Sequence, residues 1–245
     1  MRVASDHPCR GDAGGWIHRL TEQAGSPRPF AFHLPVRVPT ADFATLAAQW
    51  SRNLTNERLD AFASTLGVTV SSLRALGVGW TGRGSYSFPM HDAQRRVVGI
   101  RLRDARTGRK FAVTGSREGV FLADRRQDDP LLVVEGPTDA AAALVLGFDA
   151  MGRPSCTGAV GITATLAHRR EVVIVADADA PGRRGAEALA STLLPVVTSL
   201  RVIEPPPPHK DLREWLLQGL TREQLHARID AQPPRQLQVR IEVRQ

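Results

Sequence analysis

The spacing of apolar residues divides the chain into a helical stretch, a β-rich stretch and a region of alternating strands and helices. Between residues 41 and 76, apolar residues recur every three or four positions, which predicts amphipathic helices. Their buried faces consist of Phe43, Leu46, Ala47 and Trp50 in the first helix and Leu59, Phe62, Ala63 and Leu66 in the second. Gly67 ends the second helix, and a third short helix follows from Val70. The last two resemble a helix-turn-helix, but a helical hairpin packed on the next domain is the favoured interpretation.

From residue 85 to 121 the apolar period shortens to two, which predicts short β-strands at 86–88, 97–102 and 111–113. Glycines punctuate these strands, as expected for turns. The segment is rich in basic residues, namely Arg83, Arg95, Arg96, Arg101, Arg103, Arg106, Arg109, Lys110 and Arg117. A small basic antiparallel unit is therefore predicted, and the turn at 128–130 marks its end.

Beyond residue 130 apolar strand-like runs alternate with helical segments. The predicted strands are 131–135, 149–153, 171–176 and 197–203, and the predicted helices are 137–146, 160–168, 182–193, 212–218 and 222–229. Thr221 and Gln224 form a capping box at the start of the last helix. Such alternation implies right-handed crossovers and a parallel sheet, and hence an α/β fold.

These patterns divide the 245 residues into five segments. They are a poorly structured 1–40, a helical 41–79, a β-rich basic 80–128, an α/β domain at 129–220 and a C-terminal helix and tail at 221–245. No apolar run approaches the ~18 residues that a membrane span needs, and the N-terminus does not read as a secretory signal. Only two cysteines occur, Cys9 and Cys156, which favours a reducing compartment, and we expect a cytoplasmic protein.

Carboxylates cluster at the ends of two predicted strands. Glu135 ends the first strand of the α/β region and is followed by Asp139, and Asp177 and Asp179 follow a later strand. The carboxyl ends of parallel strands meet at one edge of a sheet, where ligands bind. Clustered carboxylates repel one another unless a cation neutralises them, and oxygen-only ligands suit Mg²⁺ or Mn²⁺.

Each acid also has a purely structural interpretation. Asp139 lies in the first helical turn, where the helix dipole favours an acid, while Asp179 and Asp211 fit helix N-caps. Glu135 and Asp177 are harder to explain in this way, because an acid at the inner end of a buried strand is costly without a partner. The functional interpretation is favoured for Glu135, Asp177 and Asp179, and the two interpretations are balanced for Asp139 and Asp211.

The net charge of +7 and the pI of about 10.7 suit a polynucleotide-binding protein, although an arginine-rich proteome would give the same total. No phosphate-binding loop of the G-x-x-x-x-G-K-[ST] type occurs. His7, Cys9 and His18 lack the second ligand pair of a structural zinc site, so no zinc is expected.

Three motifs carry a family resemblance. "VVEGPTDA", "VADADAPGRRGAEAL" and "KDLREWL" resemble, in this order, the glutamate, DxD and Lys-Asp motifs of the TOPRIM domain in bacterial-type and phage DNA primases. The preceding "YSFPMHDAQRRVVGIRLR" and "GRKFAVTGSREGVF" are similar to the small basic subdomain of the same proteins. The resemblance covers about residues 80–220. Arg213 departs from it, because many primases have an acidic or amide residue there.

The resemblance implies a Rossmann-like TOPRIM sheet preceded by a small basic α+β subdomain and a helical segment. It further implies Glu135, Asp177 and Asp179 as catalytic residues, with Asp139 and Asp211 as further ligands of Mg²⁺ or Mn²⁺. Residues expected to bind nucleic acid or nucleotide are Arg83, Arg101, Arg103, Lys110 and Lys210. The implied activity is synthesis of short RNA primers on single-stranded DNA from ribonucleotides by two-metal phosphoryl transfer.

A protein of this kind, encoded on a mobile element, would depend on a separate helicase or zinc-ribbon protein. Two alternatives remain open, a TOPRIM nuclease and a non-catalytic nucleic-acid-binding protein. A topoisomerase is disfavoured, because Tyr86 is the sole tyrosine and lies inside a predicted strand.

Overall fold

A computed structural model describes residues 42–123 and 130–236 of the chain. The predicted segment 1–40, with His7, Cys9 and His18, lies outside the described residues, as do positions 128–129 of the predicted turn and the end of the tail. Within the described ranges no helix is long and apolar enough to cross a membrane.

The helical stretch forms three helices, α1 (Phe43–Asn53), α2 (Asn56–Leu66) and α3 (Val70–Ala75). Asp42, Thr55 and Thr69 cap their N-termini through side-chain oxygens, since each supplies an acceptor for a free backbone N–H. Gly67 ends α2 with a left-handed φ of 68°. The second and third helices bury Leu66 and Leu73 in the large hydrophobic core, as expected for a helical hairpin packed on a neighbouring domain.

The basic segment forms a four-stranded antiparallel sheet in sequence order, consisting of β1 (Gly79–Trp80), β2 (Ser85–His91), β3 (Val97–Asp104) and β4 (Lys110–Ala112). Successive side chains of a strand point to opposite faces. Ile100 and Leu102 of β3 therefore pack with Phe43 and Ala47 of α1, and the alternate residues Arg101 and Arg103 lie on the other face.

The second sheet contains β5 (Phe121–Leu122), β6 (Leu131–Glu135), β7 (Asp149–Arg153), β8 (Glu171–Val175) and β9 (Ser199–Ile203), in the order β5-β7-β6-β8-β9. Strands β6 to β9 are parallel, as predicted, but β5 runs antiparallel to β7. The predicted parallel arrangement of these four strands is confirmed, and one antiparallel edge strand that the sequence did not predict makes the sheet mixed. A two-residue strand is too short to show a period, and Phe121, which was assigned to the basic unit, instead begins this sheet and packs edge-on against Phe88.

Five helices accompany the second sheet, namely α4 (Gly136–Val145), α5 (Val160–Ala167), α6 (Ala180–Leu193), α7 (Leu212–Leu217) and α8 (Arg222–Asp230). The central strand β6 is buried on both faces, as parallel strands between helical layers usually are. Leu132 and Val134 lie in the core that includes α4, whereas Leu131 and Val133 lie in the core with α6. The predicted capping box of α8 is confirmed.

Candidate active site

Glu135 is the last residue of β6, and α4 begins at the next residue. This immediate change from strand to helix depends on Gly136, whose φ of 83° is a conformation that residues with a Cβ rarely adopt. In the parallel register Glu135 is paired with Arg153 at the end of β7. The strand end thus places a carboxylate and a guanidinium side by side at the edge of the sheet.

Asp139 lies in the first turn of α4 and is only 6% exposed. Its Oδ1 accepts a hydrogen bond from the backbone N–H of Arg213 at 3.0 Å, which ties α7 to α4. Burial raises the pKa of Asp139, and the charges of Asp211 and Asp177 raise it further, while the Arg213 N–H opposes the shift. Asp139 therefore belongs to a group of interacting carboxylates.

Asp177 lies two residues beyond the end of β8. Burial raises its pKa to about 7, with contributions from the charges of Glu135, Asp211 and Asp179, and the Lys210 charge acts in the opposite direction. A Cβ at Gly182 would lie 2.5 Å from the Asp177 carbonyl oxygen. Only glycine lets helix α6 approach Asp177 so closely, which gives the glycine of the DxD motif a physical reason.

Asp179 and Asp211 both cap helices. Oδ1 of Asp179 accepts from the N–H of Gly182 at 2.8 Å, and Oδ1 of Asp211 accepts from the N–H of Glu214 at 2.7 Å. The second carboxylate oxygen of Asp179 lies 3.5 Å from Nζ of Lys210. The Gly182 N–H and the Lys210 ammonium lower the pKa of Asp179. Both acids therefore do cap helices, as their structural interpretation proposed. Each cap uses only one of the two carboxylate oxygens.

We call the cavity of about 210 Å³ between the two sheets the acidic cleft. Its carboxylates are Glu135, Asp139, Asp177 and Asp211, and its cationic side chains are Arg101, Arg103, Lys110, Lys210 and Arg213. Asp179 is not among the lining residues, although its carboxylate lies beside the lining residue Lys210. Arg83 lies elsewhere, in a separate groove with Trp50 and Phe111.

The cleft supplies carboxylate oxygens, which are the ligands that Mg²⁺ and Mn²⁺ prefer. Within residues 42–123 and 130–236, however, no three His, Cys, Asp or Glu side chains converge closely enough to form a ready metal site. The raised pKa of Asp177 reflects burial together with repulsion among these acids, and a bound cation would relieve that repulsion. Mg²⁺ is often held by one or two carboxylates, several waters and substrate phosphates, and the donor set fits this mode. The ligand assignments remain predictions.

Two cationic residues in this region were not predicted from the sequence as functional. Arg153 is 4% exposed, and its Nε donates to the Gly158 carbonyl oxygen at 2.9 Å. Its Nη2 is buried without a hydrogen-bond partner in the described part of the chain. Arg213 was noted only as a departure from a motif, yet its side chain lines the acidic cleft. The position of Arg153 directly at a strand end was the available signal.

Tyr86 is 7% exposed and stacks on Phe62 with a ring-centroid separation of 3.6 Å. Its hydroxyl group points to the Arg58 carbonyl oxygen at 3.4 Å. A phenol held in this way is not presented to a nucleic-acid phosphate, which agrees with the argument against a topoisomerase.

No protein-family model matches this chain, and no curated protein matches its sequence. Solved structures do match. A DnaG primase catalytic core aligns with a TM-score of 0.61 and 17% identity over 78% of this chain and 79% of the other. A DnaG catalytic domain bound to single-stranded DNA aligns with the same TM-score and identity over 78% of each chain. The Escherichia coli primase catalytic core aligns with a TM-score of 0.59 and 18% identity over 78% of this chain and 79% of the other. The chain therefore has the fold of a primase catalytic core.

Proposed function

We propose that the chain is a primase-like nucleotidyltransferase that joins ribonucleotides on a single-stranded DNA template. The observation that carries this proposal is the acidic cleft, in which four carboxylates and five cationic side chains face one cavity. Such a cavity can hold a divalent cation and phosphate groups at the same time. A protein that only binds nucleic acid gains nothing from burying acids beside a polyanion.

The reaction is attack of a ribose 3′-hydroxyl on the α-phosphorus of a nucleoside triphosphate, with pyrophosphate as the leaving group. Arg101, Arg103 and Lys110 would bind and orient the phosphates, since guanidinium and ammonium groups pair with phosphate oxygens. Glu135 and Asp177 would hold the divalent cation, with Asp139 and Asp211 beside them. When bound, Mg²⁺ or Mn²⁺ supplies electrostatic stabilisation of the charge that develops on the attacking and leaving oxygens.

The similar structures support a single-stranded template. One of them is a DnaG catalytic domain bound to single-stranded DNA, and the RNA polymerase domain of Mycobacterium tuberculosis primase was solved with a duplex carrying a 6-nucleotide overhang. The basic face of the smaller sheet, with Arg101 and Arg103, is the surface on which we expect the template to approach this chain.

The direct test is an oligonucleotide synthesis assay. Purified protein is incubated with single-stranded DNA, labelled ribonucleotides and Mg²⁺ or Mn²⁺, and the products are separated by gel electrophoresis. We expect short labelled oligomers from the wild type and a loss of at least about a hundredfold in Asp177→Asn, which keeps the side-chain size but removes the charge. Asp60→Asn, at an exposed position of α2, is the matched control and should retain activity.

The same assay separates the proposal from its alternatives. Shortened template without new labelled oligomers would identify a nuclease. A gel mobility shift of the template, with no labelled oligomers and no shortened template, would identify a binding protein. Either result would contradict the proposal.

A further inference from the structure

Two arginines from different elements line the acidic cleft. Arg103 extends from β3 of the smaller sheet and Arg213 from the first turn of α7, and both line the same cavity. Burial lowers the pKa of Arg103, and repulsion from the Arg213 charge lowers it further. Like charges brought together at a partly buried position destabilise the protein unless an anion lies between or beside them.

The described part of the chain offers few acceptors to Arg103 and Arg213. Among the described residues, no ion pair within 4 Å is found for either arginine. Nη1 of Arg213 lies 3.4 Å from the Leu66 carbonyl oxygen at the end of α2, which is long for a hydrogen bond. The Arg213 charge is also felt by the buried Asp139, but the hydrogen bond to that carboxylate comes from the backbone N–H. Within the described residues, most donors of the two guanidinium groups have no protein acceptor.

Neighbouring cations extend this positive surface. Lys110 of β4 is the cross-strand partner of Arg103, and Arg101 lies two residues before Arg103 on the same face of β3. Together with Arg213 they surround part of a cavity of about 210 Å³. Whole drug-sized ligands occupy pockets of roughly 300–1,000 Å³, so this space suits a chain of phosphate groups rather than an entire nucleotide.

We propose that Arg103 and Arg213 form an anion subsite that holds the polyphosphate of a nucleoside triphosphate against the carboxylates of the acidic cleft. Planar guanidinium groups bind phosphate oxygens in pairs of hydrogen bonds, and two of them would neutralise much of the charge on a β,γ-diphosphate. This inference rests on the proposed function and assigns a substrate-binding role to Arg213.

The test is equilibrium binding, measured by isothermal titration calorimetry in Mg²⁺ without turnover. The probes are ATP, inorganic triphosphate and a single-stranded oligodeoxynucleotide that lacks terminal phosphates. We expect Arg213→Met and Arg103→Met each to weaken ATP and triphosphate binding by about tenfold or more, as charge-assisted hydrogen bonds are lost. Arg213→Lys should lose less affinity for ATP and triphosphate than Arg213→Met. In all three variants the affinity for the oligonucleotide should change by less than about twofold.

Arg106→Met is the matched control, because Arg106 is exposed in the turn after β3 and outside the cleft. The inference is overturned if Arg213→Met binds ATP and triphosphate as the wild type does. The inference is also overturned if the substitutions weaken binding of the oligonucleotide as much as binding of ATP, since the site would then hold the nucleic-acid backbone.

Thermal unfolding checks that each variant folds. If Arg213→Met does not fold, Arg103→Met on a different element decides the matter alone. The two proposals can fail separately. If the wild type binds triphosphate through both arginines but synthesises no oligomers, the proposed polymerisation is disproved and the anion subsite is still supported.

Discussion

At the scale of single residues, burial and mutual repulsion dominate the candidate site. Asp177 and Asp139 have raised pKa values because burial disfavours their charged forms and neighbouring acids add to the effect. These carboxylates do not benefit folding when they are ionised without a cation. Such a local cost is common at functional sites, and it makes the pH dependence of stability informative.

The metal-free protein should lose stability as the pH rises from about 4 to about 7. The pKa of Asp177 in the folded state, about 7, exceeds its ordinary value of 3.8, so the folded state holds more protons than the unfolded state in this interval. The free energy of unfolding contributed by Asp177 therefore falls with increasing pH. Thermal unfolding in a chelator should show this fall, and Asp177→Asn should reduce its slope.

Asp60→Asn controls for the loss of one carboxylate at an exposed helix position. Addition of Mg²⁺ or Mn²⁺ at neutral pH should restore stability to the wild type more than to Asp177→Asn. An unchanged pH profile in Asp177→Asn would contradict the electrostatic description of the cleft.

Gly182→Ala should damage the site through the backbone of Asp177. The added Cβ would meet the Asp177 carbonyl oxygen at 2.5 Å, and the helix or the strand end must move to relieve the clash. We expect a loss of about 1–3 kcal/mol in the free energy of unfolding and a loss of oligonucleotide synthesis. Urea denaturation measures the free energy of unfolding, and the synthesis assay measures the activity.

Gly161→Ala provides a matched control within another helix. A Cβ at Gly161 has no atom within 4 Å, and alanine favours a helix by up to about 1 kcal/mol over glycine. This variant should be neutral or slightly stabilised and fully active. Equal damage from both substitutions would show that close approach at Gly182 is not the reason for its glycine.

At the scale of elements, helix caps and the cleft share residues. Asp211 caps α7 through Oδ1 and also lines the acidic cleft, so its presence alone does not separate a structural from a functional role. The sequence favoured neither role of Asp211, and the structure confirms the helix cap. To test the second role, the charge of the side chain and its ability to accept a hydrogen bond must be changed separately.

Asp211→Asn keeps a capping oxygen and removes the charge, whereas Asp211→Ala removes both. We expect Asp211→Asn to unfold within about 0.5 kcal/mol of the wild type and Asp211→Ala to lose about 1 kcal/mol. Both should lose most synthesis activity if the charge serves the metal. Full activity in Asp211→Asn would assign the residue to the cap alone.

The alternating strands and helices after residue 130 were predictable because each is long enough to show its own period. Helix α6, for example, was predicted from 182 and begins at Ala180, since its first turn is set by the Asp179 cap. Strand β5 was not predictable, because its two residues carry no period and its partner β7 is distant in sequence. Phe121 of this strand packs edge-on against Phe88 of the smaller sheet, a contact between residues that the apolar pattern does not link.

At the scale of the whole molecule, the candidate site is formed by two sheets that the sequence presents separately. The motifs located Glu135 and Asp177 at strand ends, because that position follows from the parallel topology. They could not show that Asp179 lies outside the cleft lining or that Arg213 lies inside it. The placement of Arg213 depends on where α7 docks, and the backbone N–H of Arg213 joins α7 to α4 through its long-range hydrogen bond to Asp139.

The most direct measurement is an anomalous scattering map from crystals soaked with Mn²⁺ and a nucleoside triphosphate. We expect a Mn²⁺ peak in the acidic cleft next to Asp177, with the phosphates of the nucleotide beside Arg103, and a weaker peak when the nucleotide is omitted. A map with no metal in the cleft, or with metal bound only at the solvent side of Asp179, would show that the acidic cleft is not the metal site.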